Sequence, residues 1–227
     1  MNKRLRKQLA AAKKVSLAGL GGKDNSVGGD GSITFISKNT QNDNDQQQQQ
    51  QSFSIQYTSS KLEPRTLIQC MILFEQNMGD LYRQSAWGLD IAEKRQELVH
   101  PDARFLLLYT TNDEKTNKFA GFVHFRLDVN VDDGPTEAVV YVMDIQIEAA
   151  YRGMGLGQYC MSLMERVAVR VGLPKVMLTV FHHNKAAAAF YAKLGYTPDP
   201  VSPSQCSGDD DDEEAADYEI LSKQVAA

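Results

Sequence analysis

Hydrophobic residues recur with two different periods beyond residue 53, and these periods predict a mixture of strands and helices. The alternating apolar positions from Phe53 to Tyr57 indicate a first strand. A helix is predicted over 64–74 with proline in its first turn, and a second over 77–98 with a break near Trp87-Gly88. Further strands are predicted at 105–110, 119–129, 138–148, 176–181 and 218–221, and further helices at 156–171 and 184–194.

The strand at 138–148 and the helix at 156–171 give the clearest signals. Alternate strand positions of one parity are apolar: Val139, Tyr141, Met143, Ile145 and Ile147. Val140 and Val142 between them are also apolar, so the strand is expected to be central and buried on both faces. The helix follows the i, i+3, i+4, i+7 pattern and ends at Gly172. The order of elements predicts an α/β or α+β domain with one mixed sheet.

The first 52 residues differ in composition from the rest, and they are predicted to form a tail before a folded domain at 53–227. A glycine-rich stretch at 19–31 and an Asn/Gln/Asp tract at 39–51 offer no apolar periodicity, so disorder is expected there. A short basic helix, docked on the domain, is expected within 3–20. We expect no catalytic residue in the tail.

Charge is unevenly distributed, although the net charge is only −5. Residues 1–23 hold seven basic and no acidic residues, which is compatible with a solvated tail, a nuclear-import or nucleic-acid patch, or a mitochondrial presequence. The acidic run at 209–214 is typical of a solvated loop, and it would also attract basic substrates. Three cysteines without regular spacing indicate a reducing compartment, and no stretch reaches the roughly 18 apolar residues of a membrane span.

A glycine-rich turn, Arg152-Gly153-Met154-Gly155-Leu156-Gly157, connects the central strand to the clearest helix. Glycines allow positive φ and close approach of the backbone to a ligand, and a helix N-terminus offers unpaired N–H groups to an anion. The turn departs from the Walker pattern, because Gln158-Tyr159 stands where Lys and Ser/Thr are needed. It also comes too late in the chain for a dinucleotide-binding turn. The turn therefore predicts a pyrophosphate site, against the alternative of a helix-capping turn without a ligand.

Two motifs together resemble the GCN5-related N-acetyltransferase (GNAT) superfamily. The first is Arg-x-x-Gly-x-Gly at 152–157, and the second runs from Asn184 through Phe190-Tyr191 to Gly195-Tyr196. The resemblance covers roughly residues 53–222. It implies the GNAT fold, in which the splayed strands of a mixed central sheet flanked by helices hold acetyl-CoA.

The same resemblance implies how acetyl-CoA is held. The strand backbone would hold the pantetheine arm, the glycine turn would bind the pyrophosphate, and the next strand and helix would add contacts. The implied cofactor-binding residues are Ile145, Gln146, Ile147, Arg152, Gly153, Met154, Gly155, Leu156, Gly157, Gln158, Thr179 and Asn184. Tyr191 would be the general acid for the leaving thiolate, or alternatively a core aromatic residue. No metal is implied.

Four further segments resemble the NatD family, whose members acetylate the N-terminal amine of core histones that begin Ser-Gly-Arg-Gly. They lie at 81–88, 122–129, 176–181 and 218–222. The resemblance implies a peptide groove that contains Tyr82, Asp128, Val129, Tyr141, Met143 and Tyr218. Asp144 would be the general base, acting directly or through water.

Two positions depart from the usual NatD residues. Met143 stands where the family has tyrosine and removes a hydroxyl from the groove. Asp144 stands where the family has glutamate, and its side chain is about one methylene shorter, which favours a bridging water. A weak base suffices because an α-amino group has a pKa of about 7.7–8.0, so that roughly a tenth of it is neutral at pH 7.

The expected function is that of an acetyl-CoA-dependent N-alpha-acetyltransferase for core histones. Three alternatives stay open: a GNAT enzyme for lysine side chains or small amines, a non-catalytic module that binds acetyl-CoA or histone tails, and a scaffold role through the basic tail, which need not exclude catalysis. Histone tails are the expected partners, and the basic tail would add contacts to chromatin or ribosomes. We expect a monomer in the nucleus and cytoplasm, without membrane association.

Overall fold

The computed structural model describes residues 3–14, 32–37, 51–59, 61–111, 117–130, 137–206 and 216–225 of the 227-residue chain. The glycine-rich stretch, nearly all of the Asn/Gln/Asp tract and the acidic run lie outside the described residues, so the predictions made for them stay predictions. Within the described ranges, no helix is long and apolar enough to cross a membrane.

Eight strands form one sheet in the described part of the chain. Their bounds are β1 Ile33–Ile36, β2 Ser52–Thr58, β3 Arg104–Thr110, β4 Phe119–Asn130, β5 Glu137–Ile147, β6 Lys175–Phe181, β7 Thr197–Pro198 and β8 Tyr218–Gln224. The order across the sheet is β1-β2-β3-β4-β5-β6-β8-β7, with β5 and β6 parallel and the other neighbours antiparallel. The predicted mixed sheet with a central β5 is therefore confirmed.

Helices cover both faces of this sheet. They are α1 Lys3–Ala12, α2 Pro64–Gln84, α3 Ile91–Leu98, α4 Leu156–Val171 and α5 Lys185–Lys193. Buried residues of α1, α4 and α5 share the largest hydrophobic cluster. Those of α2 and α3 form a second cluster with β3 and β4. The sheet therefore lies between an α4 layer and an α2–α3 layer.

Helix α2 is longer than predicted. The end predicted after Phe74 is wrong, because residues 75–77 contain neither glycine nor proline and the buried stripe of the helix continues to Gly79. The break predicted near Trp87-Gly88 is confirmed, since α2 and α3 are separate helices. The Asp90 carboxylate then caps α3 by accepting hydrogen bonds from two first-turn N–H groups at 2.8 and 3.0 Å.

The folded unit begins before the boundary predicted at residue 53. Strand β1 pairs with β2 in antiparallel register. Helix α1 packs on β4 and β5 and buries Leu5, Leu9 and Ala12, as the prediction of a docked helix requires. The helix expected within 3–20 is thus present as α1, whereas strand β1 was not predicted, because its pairing partner lies distant in sequence.

A β-bulge at Met143 decides which face of the sheet the following residues reach. The register pairs Asp144 with His124 and Val142 with the next residue of β4, which leaves Met143 as an extra residue in β5. Val142 and Ile145 consequently both pack on the α4 side, whereas Asp144 contacts α3. The single parity predicted along this strand is wrong, because one inserted residue reverses the alternation.

Strands β5 and β6 separate after a short paired region. Pairing joins 140–142 to 176–178, whereas β5 continues to Ile147 and β6 to Phe181. The two strands therefore splay apart toward their carboxyl ends. The opening lies between the two helical layers, and it is the position at which a ligand is expected in an open sheet with parallel strands.

Candidate active site

A cavity of about 930 Å³ occupies the opening between β5 and β6. Its walls come from α2, α3, β4, β5 and β6 and from the first turns of α4 and α5. The glycine turn that follows β5 forms one end, which we call the glycine end. Tyr82, Trp87, Tyr141 and Phe181 lie around the other, which we call the aromatic end.

The glycine end is built on the turn that enters α4. Gly153 and Gly155 have φ values of 77° and 81°, in the left-handed region that favours glycine. Gly155 precedes the first residue of α4 and has no side chain to cap it. The first N–H groups of a helix have no intrahelical partner, and 156–158 line the cavity. The turn therefore has the geometry of an anion site.

Strand β1 supports the glycine end from outside. Phe35 stacks on Tyr159 of α4 with ring centroids 4.7 Å apart, and its ring edge lies 3.8 Å from the place that a Cβ at Gly155 would occupy. Phe53 contacts Tyr151 edge to face, with centroids 5.5 Å apart. None of the described residues of the predicted tail lines the cavity. The tail instead packs against the residues that hold the turn.

Asn77 of α2 connects several residues at the glycine end. Its amide nitrogen donates to Gln146 Oε1 at 3.0 Å and to the Ile147 carbonyl at 3.3 Å. Its carbonyl oxygen accepts a short hydrogen bond from the Arg152 guanidinium. Arg152 also donates to the Ile147 carbonyl at 3.1 Å. Arg152 is thereby oriented beside the turn by a residue that no sequence motif marked.

Asp144 lies buried in the cavity wall and is held by three donors. Its carboxylate lies 3.4 Å from Lys94 Nζ, 3.4 Å from Nδ1 of His124 and 3.5 Å from Nε2 of Gln146. Burial raises the pKa of Asp144, but the Lys94 ammonium and the His124 hydrogen bond outweigh burial and bring the pKa below its ordinary value. An ionised carboxylate only accepts hydrogen bonds, so His124 Nδ1 donates.

Lys94 is a buried cation on α3, with only 4% of its surface exposed. Its ammonium makes a short hydrogen bond to Glu97 and lies 4.5 Å from the centroid of the Phe74 ring. Burial lowers the pKa of Lys94, but the attraction of Asp144, followed by that of Tyr82 and Glu97, holds the pKa above its ordinary value. The lysine is therefore charged at neutral pH.

Tyr191 lines the cavity from α5 and is also part of the core. Its ring contacts Phe190 and Tyr196, with centroids 5.1 and 6.1 Å away. Burial raises the pKa of Tyr191, and the charge of Asp144 raises it further. The phenol is therefore protonated at neutral pH and retains a proton to donate. The general-acid and core-aromatic interpretations are compatible with this position.

The aromatic end consists of rings that contact one another. The ring of Tyr82 lies 6.3 Å from Trp87 and 5.0 Å from Phe181 between centroids, and Trp87 lies 5.1 Å from Phe181. Burial raises the pKa of Tyr82 to about 12, so its hydroxyl is protonated. The Tyr141 hydroxyl is hydrogen-bonded to Thr179 Oγ1 at 2.5 Å. An apolar wall with protonated hydroxyls therefore surrounds this end.

Charged side chains complete the aromatic end. Asp128 is exposed, and its carboxylate accepts the N–H of Val129 at 2.8 Å. The Arg126 guanidinium donates to the backbone carbonyl of Glu97 at 3.1 Å, which joins β4 to α3.

The described residues contain no group of three or more His, Cys, Asp or Glu that could hold a metal ion.

The cavity brings together every predicted site residue except Met154 and Tyr218. Met154 packs against the hydrophobic core and does not line the cavity, so its assignment to the cofactor-binding residues stays a prediction. Tyr218 lies outside the cavity lining and contacts Trp87, with centroids 5.0 Å apart, so it supports the aromatic end from behind.

The sequence analysis missed several lining residues on elements that reach β5 only in the tertiary structure. They are Asn77, Lys94, Glu97 and Arg126. One signal was available for Lys94, because it precedes Leu98 by four positions and both occupy the buried face of α3. A lysine on the apolar face of a short helix indicates a buried partner of opposite charge.

Comparisons with known proteins agree with this geometry. The model of the acetyltransferase (GNAT) family matches residues 70–196. A GNAT-family acetyltransferase from Listeria monocytogenes has 15% sequence identity and a TM-score of 0.51, over 77% of this chain and 95% of that chain. An acetyltransferase from Streptococcus agalactiae has 15% identity and a TM-score of 0.53, over 75% and 98%. Ard1 from Thermoplasma volcanium has 13% identity and a TM-score of 0.50, over 77% and 99%. At such identities the likeness shows a shared fold, and the predicted fold is confirmed.

Proposed function

Because the chain belongs to the acetyltransferase (GNAT) family, we propose that it transfers the acetyl group of acetyl-CoA to the N-terminal amine of core histones that begin Ser-Gly-Arg-Gly. One observation carries the proposal. Tyr82, Asp128 and Tyr141, which the NatD resemblance assigns to the peptide groove, line the same cavity as the glycine turn. A peptide N-terminus between these side chains would meet an acetyl group held by cofactor contacts at the turn.

The glycine end suits the parts of acetyl-CoA that need to be held. The N–H groups at the start of α4 and the Arg152 guanidinium would bind the pyrophosphate. The edge of β5 at 145–147, beyond its pairing with β6, would form hydrogen bonds with the amides of the pantetheine arm. Thr179 and Asn184 would contact the arm from the facing wall.

Acetyl transfer forms a C–N bond to the substrate amine and breaks the C–S bond of the thioester. The amine loses one proton and the departing thiolate gains one, so the reaction uses a proton acceptor and a proton donor. Asp144 is an anion in the cavity wall, and we propose that it accepts the proton through a bridging water because it is nearly buried. Tyr191 would donate the proton to the thiolate, and a backbone N–H near Ile145 would stabilise the oxyanion.

Carboxylates near the aromatic end favour a basic peptide. Asp128 lies at the cavity wall with one backbone N–H bound, and a carboxylate has about four acceptor positions, so it retains capacity for an arginine. The third residue of Ser-Gly-Arg-Gly would supply that guanidinium. Tyr141 would pack over the first residues of the peptide, with Tyr218 supporting this wall through Trp87.

The same site would favour an N-terminal amine over a lysine side chain. Roughly a tenth of an α-amino group is neutral at pH 7, against under about 0.1% of a lysine side chain. Asp144 has a lowered pKa and is a weak base, so it suits the amine that is already partly neutral. This favours N-alpha transfer over the alternative of lysine acetylation.

The decisive test is transfer of labelled acetyl groups to a Ser-Gly-Arg-Gly-Lys-Gly peptide, with an N-terminally blocked copy as the control. We expect transfer to the free peptide and none to the blocked copy. Transfer to both peptides would establish lysine chemistry and refute the N-terminal proposal. Binding of acetyl-CoA without transfer to either would favour the non-catalytic module.

A histone substrate also bears on where the enzyme acts. We propose that it acts as a monomer in the nucleus and cytoplasm, with its basic tail contacting chromatin or ribosomes. Cell fractionation tests the compartments, sedimentation of the purified protein tests the monomer, and co-sedimentation with ribosomes or nucleosomes tests the tail. Confinement to mitochondria would contradict a histone substrate.

A further inference from the structure

Lys94 is the cation that contacts the carboxylate assigned as proton acceptor. The Lys94 ammonium lies 3.4 Å from Asp144, and the two side chains are only 5% and 3% exposed. Phe74 and Tyr82 present their rings to the ammonium at 4.5 and 5.9 Å. Solvent is therefore largely excluded from the pair, and the charge of Lys94 acts on Asp144 with little screening.

The position of the ammonium is fixed from several directions. Glu97 accepts a short hydrogen bond from Lys94 on the same helix, and Asp90 caps that helix at its start. Arg126 of β4 donates to the Glu97 carbonyl and so joins α3 to the sheet. These contacts keep the Lys94 ammonium beside Asp144. This arrangement is expected of a residue that orients another side chain.

Other titratable or polar groups face the pair from every element packed around it. They are Cys70 and Tyr82 on α2, Glu93 and Glu97 on α3, His124 and Arg126 on β4, Gln146 on β5 and Tyr191 on α5. The tyrosines and the cysteine are neutral at physiological pH, because burial raises the pKa of each. Lys94 is the cation among these groups in direct contact with Asp144.

We propose that Lys94 is a positioning residue that keeps the carboxylate of Asp144 ionised and directed at the cavity, so that Asp144 remains a proton acceptor at every pH at which the substrate amine can react. A buried carboxyl group without a cationic partner favours its neutral form, which accepts no proton. Glu97 places a second anion on the far side of Lys94 and holds the lysine in its charged form. The inference rests on the proposed role of Asp144 as proton acceptor.

The direction of the expected effect follows from charge. Lys94→Met keeps an unbranched side chain beside Phe74 but removes the ammonium. Without the ammonium, burial raises the pKa of Asp144, and an adjacent opposite charge is worth about 1–3 pH units. In wild type the acid limb of kcat/KM belongs to the substrate amine, whose pKa of about 7.7–8.0 lies above that of Asp144. In Lys94→Met, protonation of Asp144 should add a second loss of activity, so the ratio of variant to wild-type kcat/KM should fall as pH decreases. Lys94→Arg restores a cation and should return this ratio most of the way to a constant value.

The experiment measures kcat and KM for the free peptide from pH 5 to 9 in wild type and three variants. Lys118→Met is the matched control, because Lys118 is exposed at the entry to β4 and lies outside the cavity lining. Circular dichroism verifies that each variant is folded. A ratio of Lys94→Met to wild-type kcat/KM that stays constant from pH 5 to 9 in the folded variant would overturn the inference, because a merely structural role predicts the same loss at every pH.

A second measurement does not depend on activity or on a folded Lys94 variant. Carboxyl carbon NMR of the wild-type protein follows the titration of Asp144. The signal of Asp144 is identified as the one that is absent in Asp144→Asn. We expect Asp144 to titrate below about 3.9, the ordinary value for aspartate. Titration at or above that value would overturn the inference. If wild type transfers no acetyl group to the peptide, the proposed substrate fails while this titration still tests whether Asp144 stays ionised, as the inference requires.

Discussion

Asn77→Ala is expected to weaken binding of acetyl-CoA while leaving the chemical step unchanged. Asn77 lies on α2, donates to Gln146 and to the Ile147 carbonyl, and accepts from the Arg152 guanidinium. Alanine removes all three hydrogen bonds and leaves the helix intact, because alanine has the highest helix propensity. Arg152 then loses the partner that orients it beside the glycine turn.

The size of the effect follows from the lost contacts. A hydrogen bond to a charged group contributes about 1.5–3 kcal/mol of stabilising free energy. Because Arg152 is exposed, its hydrogen bond to Asn77 lies at the lower end of that range. A loss of about 1.4 kcal/mol corresponds to a tenfold change in an equilibrium constant. The dissociation constant of acetyl-CoA should therefore rise about tenfold. The value of kcat should change less than twofold, since Asn77 contacts neither Asp144 nor Tyr191 directly.

Isothermal titration calorimetry measures the dissociation constant, and steady-state kinetics measure kcat at saturating acetyl-CoA. Gln76→Ala is the matched control, because Gln76 is the adjacent, exposed residue of the same helix. An unchanged dissociation constant in Asn77→Ala would show that Arg152 is oriented without Asn77. A fall in kcat with unchanged binding would mean that Asn77 acts through Gln146 on the proton acceptor, and it would refute the assignment of Asn77 to cofactor binding.

Four further substitutions test other parts of the site. Gly121→Ala would place a Cβ 2.3 Å from the Gln146 carbonyl oxygen, so urea denaturation should show a loss of about 1–3 kcal/mol in the free energy of unfolding. Gly79→Ala is its control, because the added Cβ would meet only the flexible side chains of Arg83 and Glu75, and no loss is expected. Met143→Tyr restores a hydroxyl at the bulge, and one hydrogen bond of about 1 kcal/mol should lower the KM of a Ser-first peptide about fivefold without helping an Ala-first peptide. Tyr191→Phe should lower kcat about a hundredfold at unchanged KM, and an unchanged kcat would exclude Tyr191 as the proton donor. The folded-state pKa of Asp144 is lowered, so its contribution to stability is present above its unfolded value of about 3.9 and is lost as pH falls toward the folded value. Asp144→Asn should therefore reduce the difference between the free energies of unfolding at pH 5 and pH 3.

Local sequence patterns predicted the elements whose signals are complete within one segment. Helix α4 shows its apolar stripe over its whole length and ends at Gly172, which has a φ of 70°. The glycine turn likewise carries its own conformational requirement at Gly153 and Gly155. The start of the folded unit was missed because β1 has only four residues, and its stability depends on pairing with β2 across a long intervening segment.

The charged part of the site was beyond such patterns for a different reason. Glu97 and Arg126 look like solvated side chains when each is considered within its own element, and the signal at Lys94 does not identify its partner. Their contacts exist because α3 and β4 meet β5 at one place. Sequence motifs identify the glycine end of the cavity, because its residues are consecutive in the chain. The charged groups around Asp144 are instead brought together from separate elements.

The bulge at Met143 connects these two halves. In a regular strand Asp144 would share the parity of Val142, which packs on the α4 side. The extra residue turns Asp144 onto the opposite face, where Lys94 and His124 hold it, and returns Ile145 to the α4 side. One inserted residue therefore lets a single strand direct a carboxylate to the α3 side while its next apolar side chain returns to the α4 side. This explains how a strand whose sequence predicts uniform alternation can contribute to both the proposed proton acceptor and the proposed cofactor site.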